Sequence, residues 1–330
     1  MQPTFNRRSL LAGAGAAAVS ALAAGHLITH ADEPAAADAT TDTRNRKAPE
    51  IGYCLNTSTL RGHKLSLAEE IDIAAEAGYH AIEPWIREIR QYLEQGGTTA
   101  ELKKRIDDAG LVVPSAIGFA EWIVDDDSAR ARGLETAKSD MELLREIGGT
   151  RIAAPPAGAT GQSDLNLFRA AERYRALLEL GDRVGVVPQV EVWGFSKSLS
   201  RLGEVLFVAA ESGHPQACLL PDVYHIYKGG SDFDALRLVN GGAIHVFHIN
   251  DYPADPPRET IRDADRVYPG DGVAPLGEIL RTVYDAGFRG MLSLELFNEE
   301  YWKQPPLDVA RTGLEKMRTA VASALLLSAR

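Results

Sequence analysis

The chain has 330 residues, of which 45% are hydrophobic and 25% charged, a composition typical of a globular protein with one large core or two ordinary ones. Its formal net charge is -11, and no cluster of lysine and arginine with interleaved aromatic residues offsets that charge, which argues against a nucleic-acid partner. The two cysteines, Cys54 and Cys218, lie in apolar runs. We expect both to be buried core residues, and no disulfide is required.

The first segment, residues 1–30, resembles a twin-arginine export signal. Arg7 and Arg8 precede a short apolar stretch that ends near Ala24, and this stretch is shorter than the roughly 20 residues that span a bilayer. The alternative is an uncleaved amino-terminal anchor. Residues 31–48 lack periodicity and are predicted to be a flexible linker. We therefore expect an exported protein, periplasmic or otherwise extracytoplasmic, without stable membrane insertion once the signal is removed.

From residue 50 onward, an amphipathic helical segment that ends at a glycine is repeatedly followed by a short apolar run. These glycines are Gly78, Gly110, Gly148, Gly185, Gly213 and Gly287. Glycine just past a helix end takes the left-handed conformation that stops the helix. The apolar runs are continuous, which is typical of parallel strands covered by helices on both faces.

Eight strands can be counted when residues 51–55 form the first and residues 243–247 the seventh. Alternation of eight strands with helices predicts that residues 49–330 form a single α/β domain, a (β/α)8 TIM barrel. The alternative is an open doubly wound sheet, but the glycine-rich phosphate fingerprint of its nucleotide-binding form does not follow the first strand.

Four predicted strands in the second half of the chain end at residues that can bind a metal ion. The runs 186–190, 217–221, 243–247 and 291–294 lead to Glu191, Asp222, His248 and Glu295. A carboxylate beside apolar strand residues costs free energy unless it gains a partner, and one shared cation accounts for all four positions. The carboxyl ends of barrel strands meet at one rim, so these side chains are expected to converge. Taken singly, each has an ordinary alternative as a helix cap, a loop charge or a hydrogen-bonded core histidine.

The donor set consists of three carboxylates and one imidazole. Oxygen-rich sites of this kind suit Mn²⁺, Mg²⁺ or Co²⁺ in octahedral geometry, with positions left for substrate oxygens. Zn²⁺ is less favoured because thiolates and further histidines are lacking. We therefore expect one divalent ion, with Mn²⁺ preferred and Mg²⁺, Co²⁺ and Zn²⁺ as alternatives.

The motifs around these residues resemble those of the xylose isomerase-like barrels, in particular the sugar phosphate isomerase/epimerase and ketose 3-epimerase group. The resemblance extends from about residue 50 to the carboxyl terminus. It rests on Glu191-Val192-Trp193, Asp222-Val223-Tyr224-His225, His248-Ile249-Asn250-Asp251 and Ser293-Leu294-Glu295. It implies a divalent metal held by Glu191, Asp222, His248 and Glu295, with Glu191 and Glu295 also acting as catalytic proton-transfer groups.

The activity implied by this resemblance is sugar isomerisation or epimerisation. A carboxylate removes a proton next to a carbonyl, a metal-stabilised enediolate forms, and the second carboxylate returns a proton. One alternative is a metal-dependent lyase or dehydratase acting on a keto-sugar, an inosose or a 3-keto-glycoside. An alternative of another class is a non-catalytic sugar-binding barrel. A three-zinc DNA-repair endonuclease is disfavoured because Glu83 and Pro114-Ser115 stand where extra histidines are needed.

Further residues are candidates for binding a small-molecule sugar. His225 resembles the family's histidine for a substrate oxygen, and Glu83 is expected to bind a hydroxyl group or to orient His225. Trp193 is a candidate for an apolar wall, with Trp85 and Trp122 as further candidates, and the alternative for each is ordinary packing beneath loops. The remaining candidates are Arg266 in the long loop after the seventh strand, Asn56 after the first strand, and Asp251 as a support for His248. A homo-oligomer is compatible with the sequence.

Overall fold

Short parallel strands form the centre of the computed structural model, which describes residues 51–326. Within that range the strands are β1 (Gly52–Asn56), β2 (Ala81–Glu83), β3 (Arg151–Ala154), β4 (Val187–Glu191), β5 (Leu219–Leu220), β6 (Val246–Ile249) and β7 (Met291–Leu294). They form two sheets, in the orders β2-β1-β7-β6 and β3-β4-β5. Every pairing within these sheets is parallel.

Isolated parallel bridges join the two sheets into a closed barrel. Leu219 pairs with Ile244, and Asp222 pairs with His248, on one side. On the other side, the bridges are Ala81 to Val112, Trp85 to Ile117, and Ala116 to Ile152. Residues 112–117 therefore take the place of a strand between β2 and β3, and the predicted (β/α)8 TIM barrel is confirmed.

Two predicted strands differ in detail from the structure. The third strand, expected at Leu111 to Val113, is present only as isolated bridges. Pro114 follows it directly, and proline has no backbone N–H to donate to a continuous ladder. The strand expected at 243–247 begins instead at Val246, because Gly241–Ala243 forms a short 3-10 helix.

The helices surround the strands. They are α1 (Leu67–Ala77), α2 (Ile86–Glu94), α3 (Thr99–Asp108), α4 (Asp127–Glu146), α5 (Leu167–Val184), α6 (Leu202–Glu211), α7 (Val223–Lys228), α8 (Leu276–Asp285) and α9 (Pro306–Leu326). The sequence predicted α1, α3, α4, α5, α6 and α8. The glycine that follows each of these six has a positive φ, between 60° and 101°, as the left-handed termination requires. No helix in residues 51–326 is long and apolar enough to cross a membrane.

Short 3-10 helices occur in several of the connections between strands and helices. They lie at Thr57–His63, Phe233–Leu238, Gly241–Ala243, Asp263–Asp265 and Tyr301–Lys303. Cys54 and Cys218 are both free and buried, as predicted. The predicted signal, residues 1–30, and the predicted linker, residues 31–48, lie outside the described residues.

Candidate metal centre

The carboxyl ends of the strands hold the buried polar residues that the sequence singled out. Glu191 is the last residue of β4, His248 lies within β6, and Glu295 follows β7 directly. Asp222 follows β5 and caps the amino terminus of α7, where its Oδ1 accepts a hydrogen bond from the backbone N–H of His225 at 2.8 Å. All four predicted ligands are buried, so their charges need compensation inside the protein.

Three of the four predicted ligands form a compact group. Asp222, His248 and Glu295 each offer a ligand atom, and these atoms lie within 4.8 Å of one another. Nδ1 of His248 is 3.7 Å from Oδ2 of Asp222 and 3.4 Å from Oε2 of Glu295. This nitrogen is buried and makes no hydrogen bond. An unpartnered imidazole nitrogen that faces two carboxylate oxygens fits the requirements of a divalent cation.

Glu191 lies outside that compact group but shares a cavity with Glu295. Its Oε2 atom is buried without a hydrogen-bond partner among the described residues. The pKa of Glu191 is raised to about 8, mainly by burial. The charge of His248 lowers this pKa, whereas the negative charges of Glu295 and Asp222 raise it further. A cation beside this carboxylate would lower its pKa, because an opposite charge favours the ionised form.

Arg266 supplies a positive charge at this centre. Its Nη1 donates to Oδ2 of Asp222 at 3.0 Å and to Oε2 of Glu295 at 2.8 Å. These are the two oxygens that face His248. Burial opposes ionisation of Glu295, but the charges of His248 and Arg266 outweigh it and hold the pKa of Glu295 well below its usual range. The pKa values of Glu191 and Glu295 are therefore shifted in opposite directions.

Glu83 supports His248 rather than His225. Its Oε2 lies 3.0 Å from Nε2 of His248 and accepts hydrogen bonds from Oγ of Ser293 at 2.6 Å and from Nδ2 of Asn56 at 3.0 Å. A carboxylate at Nε2 fixes the ring and leaves Nδ1 directed at Asp222 and Glu295, an arrangement common behind metal-binding histidines. The expectation that Glu83 orients His225 is therefore corrected.

His225 lies in the first turn of α7 and lines the cavity. Its Nδ1 atom has no hydrogen-bond partner in residues 51–326, and its Nε2 lies 3.1 Å from Nη2 of Arg266. Burial lowers the pKa of His225, while the charge of Asp222 opposes this effect. A neutral imidazole with one free nitrogen is thus available to a substrate oxygen.

The cavity in front of these groups has a volume of about 280 Å³ and a largely aromatic wall. It is lined by Arg61, Trp85, Ile117, Phe119, Glu191, Trp193, Phe195, His225, Asp263, Arg266, Glu295 and Phe297. The lining residues that were candidates from the sequence are Trp85, Glu191, Trp193, His225, Arg266 and Glu295. Trp122 is not among them, because its indole Nε1 donates to the backbone oxygen of Pro155 at 2.8 Å in the core.

Two other expectations are changed by the structure. Asn56 is fully buried and is not among the lining residues. Its side chain bonds to Glu83 and accepts a hydrogen bond from Nε1 of Trp85 at 3.0 Å, so it holds parts of the wall together. Asp251 accepts backbone hydrogen bonds from Tyr252, Gly270, Gly272 and Ala274, and it organises the loop after β6 instead of supporting His248.

Arg61 is a lining residue that the sequence analysis missed. Its guanidinium carbon lies 3.9 Å from the ring centroid of Trp85 and 4.9 Å from that of Phe297. Burial, with the nearby charge of Arg87, lowers its pKa to about 10. No motif marks this position, because it reaches the cavity from the 3-10 helix after β1 and is defined only by the folded chain.

Comparisons with known proteins place this geometry in context. The family description "Xylose isomerase-like TIM barrel" matches residues 71–320. An inosose isomerase from Bacillus licheniformis is 27% identical over 268 residues, which are 79% of this chain and 95% of that protein. A 3-dehydroshikimate dehydratase from Pseudomonas putida is 23% identical over 257 residues, 76% of this chain but 39% of the relative.

A solved structure described as the IolI protein with a binding zinc atom shares the fold. Its TM-score is 0.77 at 20% identity, and the match covers 83% of this chain and 99% of that one.

Proposed function

This chain belongs to the xylose isomerase-like TIM barrel family, and we propose that it is a divalent-metal-dependent sugar isomerase or epimerase. The observation that carries the proposal is the pair of buried carboxylates, Glu191 and Glu295, which line one cavity, with Glu295 also clustered with Asp222 and His248. The similarity to an inosose isomerase supports the same class of reaction.

The metal is proposed to be held by Asp222, His248, Glu295 and Glu191. The unpartnered Nδ1 of His248 and Oε2 of Glu191 fit this role, and a similar barrel is described with bound zinc. We keep Mn²⁺ as the preferred ion because three carboxylates outnumber one imidazole. When bound, a divalent ion supplies Lewis-acid chemistry, drawing electron density from a substrate carbonyl and so acidifying the adjacent C–H.

Glu191 and Glu295 are proposed to move the proton. One carboxylate accepts the proton as the C–H bond breaks and its electron pair forms the enediolate, and the other carboxylic acid donates a proton back to carbon. Without a bound ion, burial raises the pKa of Glu191 to about 8, while the charges of His248 and Arg266 lower the pKa of Glu295, so the two carboxyl groups differ in basicity. Return to the same carbon from the other face is epimerisation, and return to the neighbouring carbon is isomerisation.

His225 and Arg266 are proposed to bind the substrate oxygens. Both line the cavity, and together they offer a free imidazole nitrogen and a fixed guanidinium. Trp193 and its aromatic neighbours give a sugar ring an apolar face on which to stack. These contacts would hold the reacting carbon near Glu191 and Glu295, and correct positioning supplies much of the rate in such reactions.

Elimination is the second candidate reaction. It starts with the same proton abstraction, but the electron pair then expels a β-substituent instead of recapturing a proton. The similarity to a 3-dehydroshikimate dehydratase supports elimination as the alternative reaction. Detection of an unsaturated product, in place of a rearranged sugar, would identify elimination.

The decisive experiment measures uptake of solvent deuterium into carbon. Protein loaded with Mn²⁺ is incubated in D₂O with a panel of ketoses, keto-sugars and inososes, and exchange is followed by NMR and mass spectrometry. We expect exchange in at least one compound, with a loss of 100-fold or more in Glu295→Gln and Glu191→Gln, because general acid–base groups contribute on the order of 10²–10⁴. Glu299→Gln is the matched control, since Glu299 is exposed in the same loop as Glu295.

Metal content is measured for each variant by elemental analysis, so that loss of the ion is separated from loss of the proton-transfer group. Absence of exchange in every compound, with metal and sugar both bound, would favour the non-catalytic sugar-binding barrel.

Export through the twin-arginine pathway is part of the proposal. Arg7→Lys with Arg8→Lys is expected to retain the full chain in the cytoplasm of a bacterial host, as seen by cell fractionation. Equal export of both forms would remove this part of the proposal.

A further inference from the structure

A second, more open groove adjoins the catalytic cavity. It has a volume of about 580 Å³ and lies between α2 and α4. We call it the outer groove; Arg87 and Arg90 of α2 line one side, and Thr136 and Ser139 of α4 line the other. Ile117 and Phe119 line both this groove and the catalytic cavity. The two spaces therefore meet at one wall.

The shared wall carries an exposed aromatic ring. Phe119 is 42% exposed, although a large apolar side chain usually gains free energy by burial. Its ring centroid lies 5.1 Å from that of Trp85 and 5.8 Å from that of Trp193. The aromatic lining of the catalytic cavity thus continues to the edge of the outer groove, as a surface on which more than one sugar ring can stack.

The outer groove also offers polar groups to a ligand. Arg87 is exposed and stacks on the ring of Trp85 at 4.3 Å, but it has no hydrogen bond or ion pair within the described chain. Thr136 is exposed on α4 beside Ser139, whose hydroxyl accepts a hydrogen bond from Arg90 at 3.1 Å. Guanidinium and hydroxyl groups beside an aromatic face are the groups that recognise sugar hydroxyls.

The volume of the catalytic cavity also indicates that a larger ligand would extend into the outer groove. The catalytic cavity, at about 280 Å³, lies at the lower end of the range of roughly 300 to 1,000 Å³ that is typical of small-molecule sites. It suits one sugar ring. A substrate of one ring would leave the adjoining groove, its aromatic edge and the free guanidinium of Arg87 unused.

We propose that the outer groove binds the second ring of a glycoside whose reacting ring occupies the catalytic cavity. This inference rests on the proposed function and names its substrate class, a two-ring sugar rather than a free monosaccharide. Phe119 would lie at the junction between the two rings, where it contacts both. The side chains of α2 and α4 would then determine which second ring is accepted.

The test compares disaccharides with their component monosaccharides. Isothermal titration calorimetry on the full chain with Mn²⁺ measures binding of the reducing disaccharides cellobiose, maltose and maltulose, and of glucose and fructose. We expect at least one disaccharide to bind tenfold or more tightly than its components. Thr136→Trp fills the groove from an exposed helical position, and we expect it to reduce this ratio to about one.

Lys138→Trp is the matched control. Lys138 is exposed on the same helix but does not line the groove, so the ratio should be retained. Equal affinities for disaccharides and monosaccharides in the unmodified protein would overturn the inference, as would an unchanged ratio in Thr136→Trp. Failure of the proposed function is seen separately, because it is measured by deuterium exchange and not by this ratio.

Discussion

Replacement of Arg266 by methionine tests whether its positive charge compensates the carboxylates of the candidate metal centre. The guanidinium is only 1% exposed, and its Nη1 lies 3.0 Å from Oδ2 of Asp222 and 2.8 Å from Oε2 of Glu295. Methionine keeps much of the length of the side chain and removes the charge. In Arg266→Met without metal, these two carboxylates lose their shared donor.

The magnitude follows from the burial of the group. Breaking a buried ion pair by removing one partner costs about 3 to 5 kcal/mol, since an uncompensated charge remains inside the protein. We therefore expect the free energy of unfolding of metal-free Arg266→Met to fall by this amount. With Mn²⁺ present the loss should be smaller, because a divalent ion at Asp222 and Glu295 supplies compensating charge and binding stabilises the folded state.

The assay is urea denaturation followed by circular dichroism, with EDTA and with saturating Mn²⁺. Arg262→Met serves as the control, because its side chain is 78% exposed and its nitrogen lies 3.8 Å from Asp265. An exposed pair of this kind contributes about 0 to 1 kcal/mol. A loss below about 1 kcal/mol in metal-free Arg266→Met, or an equal loss with and without Mn²⁺, would refute the reasoning.

Three further predictions concern other parts of the barrel. Glu83→Gln should weaken Mn²⁺ binding by about 10- to 100-fold in calorimetry, because the charge that fixes His248 is lost. Glu70 is 3% exposed and its pKa is raised to about 9 by burial, so the protein loses stability as pH rises from about 4.5 to about 9. Glu70→Gln should therefore raise the free energy of unfolding more at pH 8 than at pH 5. Gly229→Ala should destabilise by about 1 to 3 kcal/mol, since a Cβ would lie 1.8 Å from the backbone oxygen of Ser200.

Each of these changes has a control and a contrary result. Unaltered Mn²⁺ affinity in Glu83→Gln would mean that the charge of Glu83 does not affect metal binding by His248. Glu76→Gln, on the exposed face of α1, is measured at both pH values as the control for the substitution itself, and an identical gain at both pH values in Glu70→Gln would reject the burial argument. Gly203→Ala meets no atom within 4 Å and should change stability by less than about 1 kcal/mol. Equal effects of the two glycine replacements would contradict the steric account.

The repeat of helix, glycine and apolar run was enough to predict the barrel. These are local signals, because a helix terminates at its own glycine and a doubly covered strand is continuously apolar. The first turn of α7 was harder to predict, since Asp222 serves both as a strand-end carboxylate and as a helix cap. The predicted third strand is reduced to isolated bridges, because Pro114 has no backbone N–H to donate to a continuous ladder.

For the site, sequence order identified the strand-end residues, and parallel strands bring their ends to one rim whatever the loops do. This is why the sequence alone predicts that Asp222, His248 and Glu295 lie together, as they do in the structure. The spacing of residues along the sequence could not show which side chain hydrogen-bonds to which metal-binding candidate. Glu83 and His248 are 165 residues apart in the chain yet 3.0 Å apart in space, and this contact follows from their places on β2 and β6 across the barrel.

The sequence by itself determined the barrel architecture and the identity of the metal-binding candidates at the strand ends, because both follow from local pattern and strand direction. Only the tertiary structure decided that Arg266 donates hydrogen bonds to both Asp222 and Glu295. It also decided that Arg61 lines the cavity and that Asn56 lies behind the residues that line it. For Arg266 and Arg61 the physical reason is that long side chains on loops and 3-10 helices have many rotamers. Their final partners are selected by the charges and aromatic faces that folding brings within reach.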